Sequence, residues 1–382
     1  MTVTTALNVE ELLAKASAKT GLSDFGDDWF REPLDVLVTS LNTEAALSPL
    51  GFELTKHRLT ALLADRLRLR ELQRQNPSVL DVEVRVAAEI CGLPRTGSTL
   101  LHRLLAASPQ LTSTLSWEVA YPLPFPGEGP DAEVRKRRAQ ERMQMFSQLS
   151  PDFGDLHTVV WDGPEEDVIL LDRTFVSMSF DSFYWVPTYG DWLRSADQRP
   201  AYRELHEWLQ VLQWQSPGRD RPWILKSPHH LTAVDTVLSE FTDCKIVMTH
   251  RSPVNAVPSY ASMVRAMSSQ YSENADPVRI GQYWSRRFAR TLQDFAAARA
   301  ERPDRFVDVR FADTVSKPLE VARQVLDALG LPAGPADDAA FEAYLEQNRT
   351  ERHGSHSYAP PDFGLSEDQL QRDFAFYSEV YL

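Results

Sequence analysis

The chain has 382 residues, with 40 Lys and Arg against 54 Asp and Glu, and its formal net charge is −14. Hydrophobic residues make up 43% and charged residues 25%, which excludes a mostly disordered or fibrous protein. The negative charge repels nucleic acid and anionic lipid at long range, so we expect neither as a main partner. No apolar run approaches the ~20 residues that cross a bilayer.

Composition also bears on the compartment and on metal binding. The segment Met1–Ala14 carries Glu10 and Glu11 and lacks both a basic leader and an apolar signal core, so we expect a cytoplasmic protein. The two cysteines are Cys91 and Cys244, and no Cys/His cluster has metal-ligand spacing. The sequence therefore argues against a disulfide framework and a structural zinc site, and we predict no bound metal.

Residues 1–80 are predicted to form a helical segment. Leucines recur at helical spacing among arginines over Ala61–Gln75, which predicts an amphipathic helix that Asn76-Pro77 ends. We interpret its arginines as a solvated face and not as a binding patch. Residues 81–382 are predicted to form a single compact α/β domain.

A strand, a loop and a helix open this domain. Alternating valines from Val82 to Val86 lead into Ala87–Leu93, which is apolar except for Glu89, a pattern typical of a strand. The glycine-containing turn Pro94–Thr99 comes next, and leucines at helical spacing follow it.

Later segments repeat this alternation. Strands are predicted at Trp223–Leu225, Lys245–Thr249 and Arg305–Arg310, with a helix through Tyr260 after the second and another at Leu319–Leu329 after the third. Strands that alternate with helices indicate a parallel sheet covered by helices. Ligands of such sheets bind beyond the carboxyl ends of the strands, where the polar motifs of this chain lie.

The stretch of about 121–221 is rich in aromatic residues and proline, and we predict that it is an insertion that shapes a pocket for an acceptor. Most of its aromatic side chains are expected in the core. Within it, Gly163–Asp167 has a proline followed by acids, which is typical of a helix start. We favour that interpretation over a catalytic pair of carboxylates.

The first polar motif resembles a phosphate-binding loop. Gly97 lets the backbone approach an anion, and the hydroxyls and helix N-terminus behind it supply donors and a positive dipole. The loop lacks the first glycine and the lysine of the nucleoside-triphosphate form. Its candidate donor-binding residues are Arg95, Thr96, Gly97, Ser98, Thr99 and Leu100.

Two other strand ends carry cations. Arg251 follows a predicted strand and Ser259 lies about two turns into the next helix, so both can converge on one anion. Lys226 ends another strand, in a chain with seven lysines and 33 arginines. A salt bridge for Arg251 and a solvated role for Lys226 are the structural alternatives.

Together these residues resemble the sulfotransferases that use 3′-phosphoadenosine 5′-phosphosulfate (PAPS). Leu93–Leu101 resembles the family's loop for the 5′-phosphosulfate, in the arginine form found in tyrosylprotein sulfotransferases. Arg251–Pro253 with Ser259 resembles its 3′-phosphate motif, and Leu225–Pro228 is similar to the strand that carries a catalytic lysine. The resemblance runs from about Ile90 to the C-terminus, and the helical first 80 residues are similar to the broad bacterial branch.

Two more segments have a likeness to the family. Val309–Asp313, followed by Lys317-Pro318, is similar to the segment near the adenosine in relatives. Arg352-His353-Gly354 is faintly similar to the 3′-phosphate clamp of the cytosolic branch, and Gly354–Gly364 is predicted as a surface loop.

The chain departs from the cytosolic branch at the catalytic base. That branch has a histidine two residues after the strand-end lysine, where this chain has Pro228. Trp117-Glu118 follows Arg95 by 23 residues, close to the catalytic glutamate of the tyrosylprotein branch. The resemblance therefore implies Glu118 as the base, with His229 as the alternative.

The resemblance as a whole implies an α/β, P-loop-kinase-like sulfotransferase fold and transfer of a sulfuryl group from PAPS to a hydroxyl of a small, apolar or amphiphilic acceptor. It assigns catalysis to Glu118, Lys226 and Arg95, and donor binding to the loop residues with Arg251 and Ser259. The product would be 3′-phosphoadenosine 5′-phosphate. Two alternatives stay open: a P-loop small-molecule kinase and a non-catalytic nucleotide-binding protein.

Overall fold

A four-stranded parallel sheet organises the protein, whose computed structural model describes residues 6–125, 127–129, 131–149, 160–348 and 359–382. Its strands are β1 (Val86–Gly92), β2 (Trp223–Lys226), β3 (Lys245–His250) and β4 (Phe306–Arg310). The strand order is β2-β1-β3-β4, and every neighbouring pair is parallel. The predicted helix-covered parallel sheet is thus confirmed.

The first strand is shorter than the valine alternation predicts. It begins at Val86, which pairs with the first residue of β2, Trp223. Just before that point the Trp223 N–H of β2 still donates to the Arg85 carbonyl oxygen at 2.7 Å. Further back, the side chains of Gln210 and Gln213 donate to the carbonyl oxygens of Val82 and Glu83 instead. The first part of the alternation, residues 82–85, therefore lies outside the strand.

Within residues 6–80, the N-terminal segment contains three α-helices, α1 (Val9–Thr20), α2 (Arg31–Thr43) and α3 (Pro49–Gln75). The Ser48 side chain caps α3 by accepting from the Gly51 N–H, and the helix ends before Asn76-Pro77 as predicted. The predicted helix is therefore the C-terminal part of a longer one.

The prediction of a solvated arginine face on α3 is wrong for Arg66. This side chain is fully buried, ion-paired with Glu204 and stacked on Phe30 at 4.3 Å. Arg70 pairs with Glu204 and Glu207. The acidic partners come from another helix far along the chain, which local periodicity does not reveal.

The remaining helices cover the sheet and build the predicted insertion. The first group is α4 (Ser98–Ala106), α5 (Ser116–Ala120), α6 (Glu133–Leu149), α7 (Val168–Leu171), α8 (Met178–Phe183), α9 (Pro187–Ser195) and α10 (Arg199–Trp214). The second group is α11 (Val234–Glu240), α12 (Pro253–Ser268), α13 (Pro277–Glu301), α14 (Phe311–Ser316), α15 (Pro318–Ala328), α16 (Pro335–Gln347), α17 (Glu367–Asp373) and α18 (Ala375–Tyr381). None of the helices in the described ranges is long and apolar enough to cross a membrane.

Hydrophobic cores lie on both faces of the sheet, because successive strand residues point to opposite sides. Ile90 and Val247 pack with the leucines of α4, whereas Cys91 and Met248 belong to the core on the other face. Cys91 and Cys244 are both buried free thiols. The sheet is therefore covered on both sides, and its carboxyl edge is the part that carries polar residues.

Candidate active site

The loop after β1 depends on two glycines. A Cβ at Gly92 would lie 2.6 Å from the carbonyl oxygen of Thr249 in β3, so the close approach of these strands requires glycine. Gly97 has φ +82° and is the N-cap of α4. Since it has no side chain to accept from the first N–H groups of α4, those groups and the positive end of the helix dipole suit an anion.

The predicted loop residues divide into two kinds. Thr96 is buried, donates to the Leu93 carbonyl oxygen at 2.7 Å and lies 2.6 Å from the Thr249 hydroxyl. It therefore braces the loop from inside. Ser98, Thr99 and Leu100 form the half-buried first turn of α4.

Arg95, Arg251 and Ser259 come together at this edge. The Nε of Arg95 donates to the Ser259 Oγ at 3.2 Å, and the Nη1 of Arg251 donates to the Arg95 carbonyl oxygen at 2.6 Å. The Arg251 guanidinium lies over the ring of Phe311, 4.2 Å from its centroid. This ring also lies against Gly97, where a Cβ would be 2.9 Å from it. Phe311 comes from the segment that resembled the adenosine region, but its contact with Arg251 had no sequence signal.

Lys226 ends β2 and reaches the other side of the loop. Its ammonium, in a side chain only 2% exposed, donates to the Thr99 Oγ1 at 3.3 Å and forms an ion pair with Glu166. The strand fixes its position, because Lys226 pairs in register with Ile90 of β1. A cation and a carboxylate thus meet beside the first turn of α4.

Glu118 has a different setting. It is buried, accepts from the Leu115 N–H at 3.0 Å and pairs with Arg219 through both carboxylate oxygens, at 2.6 and 3.1 Å. Arg219 also donates to Thr112 Oγ1 at 2.8 Å. These contacts give Glu118 a structural role, in which it pairs with an arginine and caps a helix start.

His229, the alternative base, is fully buried. Its Nδ1 accepts from the Met178 N–H at 3.1 Å, and burial lowers the pKa of the ring to about 3, helped by the neighbouring His230. A neutral imidazole whose lone pair is already occupied is poorly suited to take a proton from an acceptor.

The acidic segment 163–167 does begin a helix, since α7 starts at Val168 with Asp167 at its N-cap. Its acids also form ion pairs that this interpretation did not include. Glu166 binds Lys226, and Asp167 binds the buried His230. Glu166 is the residue that sequence reasoning missed, because the contact joins residues 60 positions apart.

Asp167 and His230 form a buried group with Glu89, in which the carboxylate oxygens and the imidazole nitrogen, atoms of the kind that bind metals, lie within 4.8 Å of one another. Spacing in the sequence gave no sign of this group. The predicted clamp Arg352-His353-Gly354 and the residues up to 358 of the predicted loop lie outside the described residues, while Pro360–Phe363 forms a 3₁₀ helix.

The site therefore combines uncapped backbone donors with three cationic side chains at the ends of three parallel strands. Arg95 and Arg251 lie on the side of Ser259, and Lys226 lies on the side of Thr99. Charged donors and helix-terminal N–H groups bind phosphate or sulfate esters. An ester with two anionic groups fits this arrangement.

Comparison with known proteins agrees with the geometry. The Sulfotransferase family matches residues 89–335, a range that includes the loop after β1 and the ends of all four strands. The chain belongs to this family, and it is a sulfotransferase with an α/β sulfotransferase fold. The family predicted from the strand-end residues is confirmed.

Three relatives come from mycobacteria. Sulfotransferase STF1 of Mycobacterium tuberculosis is 29% identical with a TM-score of 0.81, over 98% of this chain and 100% of that chain. Sulfotransferase STF9 of Mycobacterium avium is 25% identical with a TM-score of 0.86, over 100% of this chain and 98% of that chain. The omega-hydroxy-beta-dihydromenaquinone-9 sulfotransferase Stf3 of Mycobacterium bovis is 25% identical over 300 residues, 73% of this chain and 70% of that protein.

Proposed function

We propose that the enzyme transfers a sulfuryl group from PAPS to a hydroxyl of a small, apolar or amphiphilic acceptor. The observation that carries the donor assignment is the pair of cationic positions on opposite sides of one helix-terminal loop, Arg251 beside Arg95 and Lys226 beside Thr99. PAPS has charged groups at both its 3′ and 5′ positions. A nucleoside triphosphate has only one such end.

Each residue then has a role that its position supports. The N–H groups at the start of α4 would bind the 5′-phosphosulfate, and Arg251 with Ser259 would bind the 3′-phosphate. The donor supplies the sulfuryl group together with a phosphate leaving group. Arg95 and Lys226 would stabilise the negative charge that develops on that leaving group, usually the largest catalytic contribution.

For the proton of the acceptor hydroxyl we favour Glu166 as the base. It lies in contact with Lys226, the cation proposed to act at the reacting bond, and its side chain is 21% exposed. Glu118, implied by the family resemblance, has both oxygens engaged by Arg219 and its side chain is 3% exposed. It is the second candidate.

The acceptor assignment rests on chemistry and on a relative. Stf3 is named for an omega-hydroxylated dihydromenaquinone, a hydroxyl on an apolar molecule. The predicted insertion of this chain is rich in aromatic residues, and some of them, such as Phe183 and Trp185, are only partly buried. An acceptor with an apolar body and one hydroxyl fits such an environment better than a polyanionic glycan does.

Donor binding is tested by calorimetry with 3′-phosphoadenosine 5′-phosphate and with ATP. We expect the former to bind without added metal and Arg251→Ala to weaken it by roughly 1.5–3 kcal/mol, the value of a hydrogen bond to a charged group. Arg85→Ala, at the opposite end of β1, is the control. Equal affinity of the Arg251 variant and the parent would overturn the 3′-phosphate assignment.

Transfer itself is tested with radiolabelled PAPS and three acceptors: a long-chain primary alcohol, a phenol and a sugar. We expect product with one of the first two and none with the sugar. Glu166→Gln should lower kcat by ~10²–10⁴-fold with unchanged donor binding. Glu118→Gln should keep most of its kcat and lose stability. The reverse pattern would make Glu118 the base.

A further inference from the structure

The buried group formed by Glu89, Asp167, Tyr202 and His230 has no part in the chemistry described so far. His230 lies in the 3₁₀ helix Pro228–Thr232, four residues after Lys226. Its Nε2 is 2.9 Å from the Asp167 Oδ2 and 3.0 Å from the Glu89 Oε2, and its Nδ1 is 2.7 Å from the Tyr202 hydroxyl. All four side chains are inaccessible to solvent.

We propose that His230 is a positioning residue for the sulfuryl transfer: it holds Asp167, and thereby sets the neighbouring Glu166 against Lys226. The inference rests on the proposed role of Glu166 as the base. Two short segments, 166–167 and 226–230, are joined twice, once by Glu166 with Lys226 and once by Asp167 with His230. The second contact fixes the geometry of the first.

Both segments are rigidly attached. The Ser227 N–H donates to the Ile90 carbonyl oxygen at 3.1 Å, and the Ser227 Oγ accepts from the His229 N–H at 3.0 Å, so Lys226 and His230 move with β1. The Asp167 carbonyl oxygen accepts from the Leu170 N–H at 2.8 Å, as expected for the start of α7. Little freedom is left to Glu166 once Asp167 is held.

The charges of the group favour a strong contact. Burial lowers the pKa of His230, but Asp167 and Glu89 outweigh it, and the net pKa lies well above the ordinary value. Burial raises the pKa of Asp167, but His230 outweighs that effect and the net direction is downward. The contact is therefore an imidazolium paired with a carboxylate, a charge-assisted hydrogen bond in a dry environment.

Glu89 differs from Asp167. Burial raises its pKa to about 7, and His230 opposes this only in part. Neither of its carboxylate oxygens has a well-formed hydrogen bond among the described residues. His230 therefore stabilises the charged form of Glu89 less than that of Asp167. Its main partner is Asp167, the residue beside the proposed base. The other titratable neighbours of the group are His229 on the same 3₁₀ helix, Tyr202 of α10, His102 of α4 and the thiols of Cys91 and Cys244.

The test is a double-mutant cycle with His230→Gln and Glu166→Gln, measured as kcat for sulfuryl transfer and as affinity for 3′-phosphoadenosine 5′-phosphate. We expect His230→Gln to lower kcat about 10–100-fold and to change the donor affinity less than threefold, since an interaction that matters at the transition state affects kcat and not binding. In the Glu166→Gln background it should change kcat less than threefold. Additive losses would overturn the proposal, because a merely structural histidine would act independently of Glu166.

Two further variants make the result decisive. His206→Gln removes another histidine–carboxylate pair, His206 with Glu240, away from the site and should leave kcat unchanged. If His230→Gln does not fold, Asp167→Asn is measured in the same cycle with the same expectation. A fully active Glu166→Gln enzyme would refute the role of Glu166 as the base, although the contact between His230 and Asp167 would stand. If His230→Gln is fully active while Glu166→Gln is inactive, only the positioning role of His230 is refuted. If the purified protein contains a stoichiometric metal that His230→Gln removes, His230 is a metal ligand and not a positioning residue.

Discussion

Lys226 is an ammonium that folding has taken almost completely out of water. A buried charge is tolerated only with partners, and here they are Thr99 in the first turn of α4 and Glu166 in the acidic segment before α7. A cation held in this way needs little reorganisation when negative charge appears beside it.

We therefore expect Lys226→Ala to lower kcat by ~10²–10³-fold, the usual cost of one lost electrostatic contact, while donor affinity changes far less. Lys245→Ala is the matched control, because Lys245 begins β3 at the opposite edge of the same sheet. Steady-state kinetics and calorimetry on both variants give the answer. A raised KM with unchanged kcat would reduce Lys226 to a binding residue.

His102 of α4 is also buried, but unlike Lys226 it is neutral. Burial lowers its pKa to about 3, and the charge of Lys226 adds to the effect. Below pH 6.5 the unfolded chain takes up a proton that the folded protein refuses, so this residue makes stability fall as the pH falls.

Accordingly, His102→Gln should reduce the loss of stability between pH 7.5 and 5.5 by about 1 kcal/mol, from a slope of ~1.4 kcal/mol per pH unit for one proton. Urea unfolding at the two pH values measures it. Glu89, whose pKa is raised to about 7, acts in the other direction, so Glu89→Gln should steepen the loss. Identical changes in both variants would contradict the assignment.

Among the elements, the turn between β1 and α4 leaves little room for a side chain at Gly97. Gly97 combines a left-handed backbone with a close neighbour, the ring of Phe311. Any side chain here would strain the turn and push on the ring that supports Arg251.

Gly97→Ala should therefore weaken binding of 3′-phosphoadenosine 5′-phosphate by at least tenfold. Gly21→Ala is the matched control: Gly21 has φ +72°, but a Cβ there would meet no described atom within 4 Å. Both variants should lose ~1–2 kcal/mol of stability from the left-handed backbone, and only the first should lose affinity. Equal donor binding by both would show that the crowding is harmless.

The elements themselves could largely be predicted from the sequence, because short-range patterns encode them. The apolar runs before Lys226 and Arg251 each proved to be a strand, and the glycine of the loop marked the N-cap of α4. Side-chain pairing could not be predicted in the same way. Glu166 and Lys226 are 60 residues apart in the sequence, and Arg66 and Glu204 are 138 residues apart, so these pairs form only when the chain folds.

At the scale of the whole molecule, a buried ion pair ties the N-terminal helix α3 to α10. Arg66 and Glu204 are 0% and 2% exposed. A charge left alone in such a place is costly, so Arg66→Ala should lower the free energy of unfolding by about 3–5 kcal/mol. Arg74→Ala breaks an exposed pair with Glu71 and should cost ~0–1 kcal/mol.

Denaturant unfolding of both variants checks this. A loss confined to a separate early transition in the Arg66 variant would mean that residues 1–80 unfold independently of the sheet domain. One shared transition that moves as a whole would mean that they unfold together with it.

The two buried thiols can report on the opening of the sheet. Burial raises the pKa of Cys91 to about 12 and that of Cys244 well above its ordinary value, so neither forms the thiolate that alkylating reagents require. Cys91 lies in β1, an inner strand, and Cys244 lies directly before the other inner strand, β3. The rate at which a thiol reagent labels the native enzyme would therefore record how often the sheet opens, without a single engineered reporter.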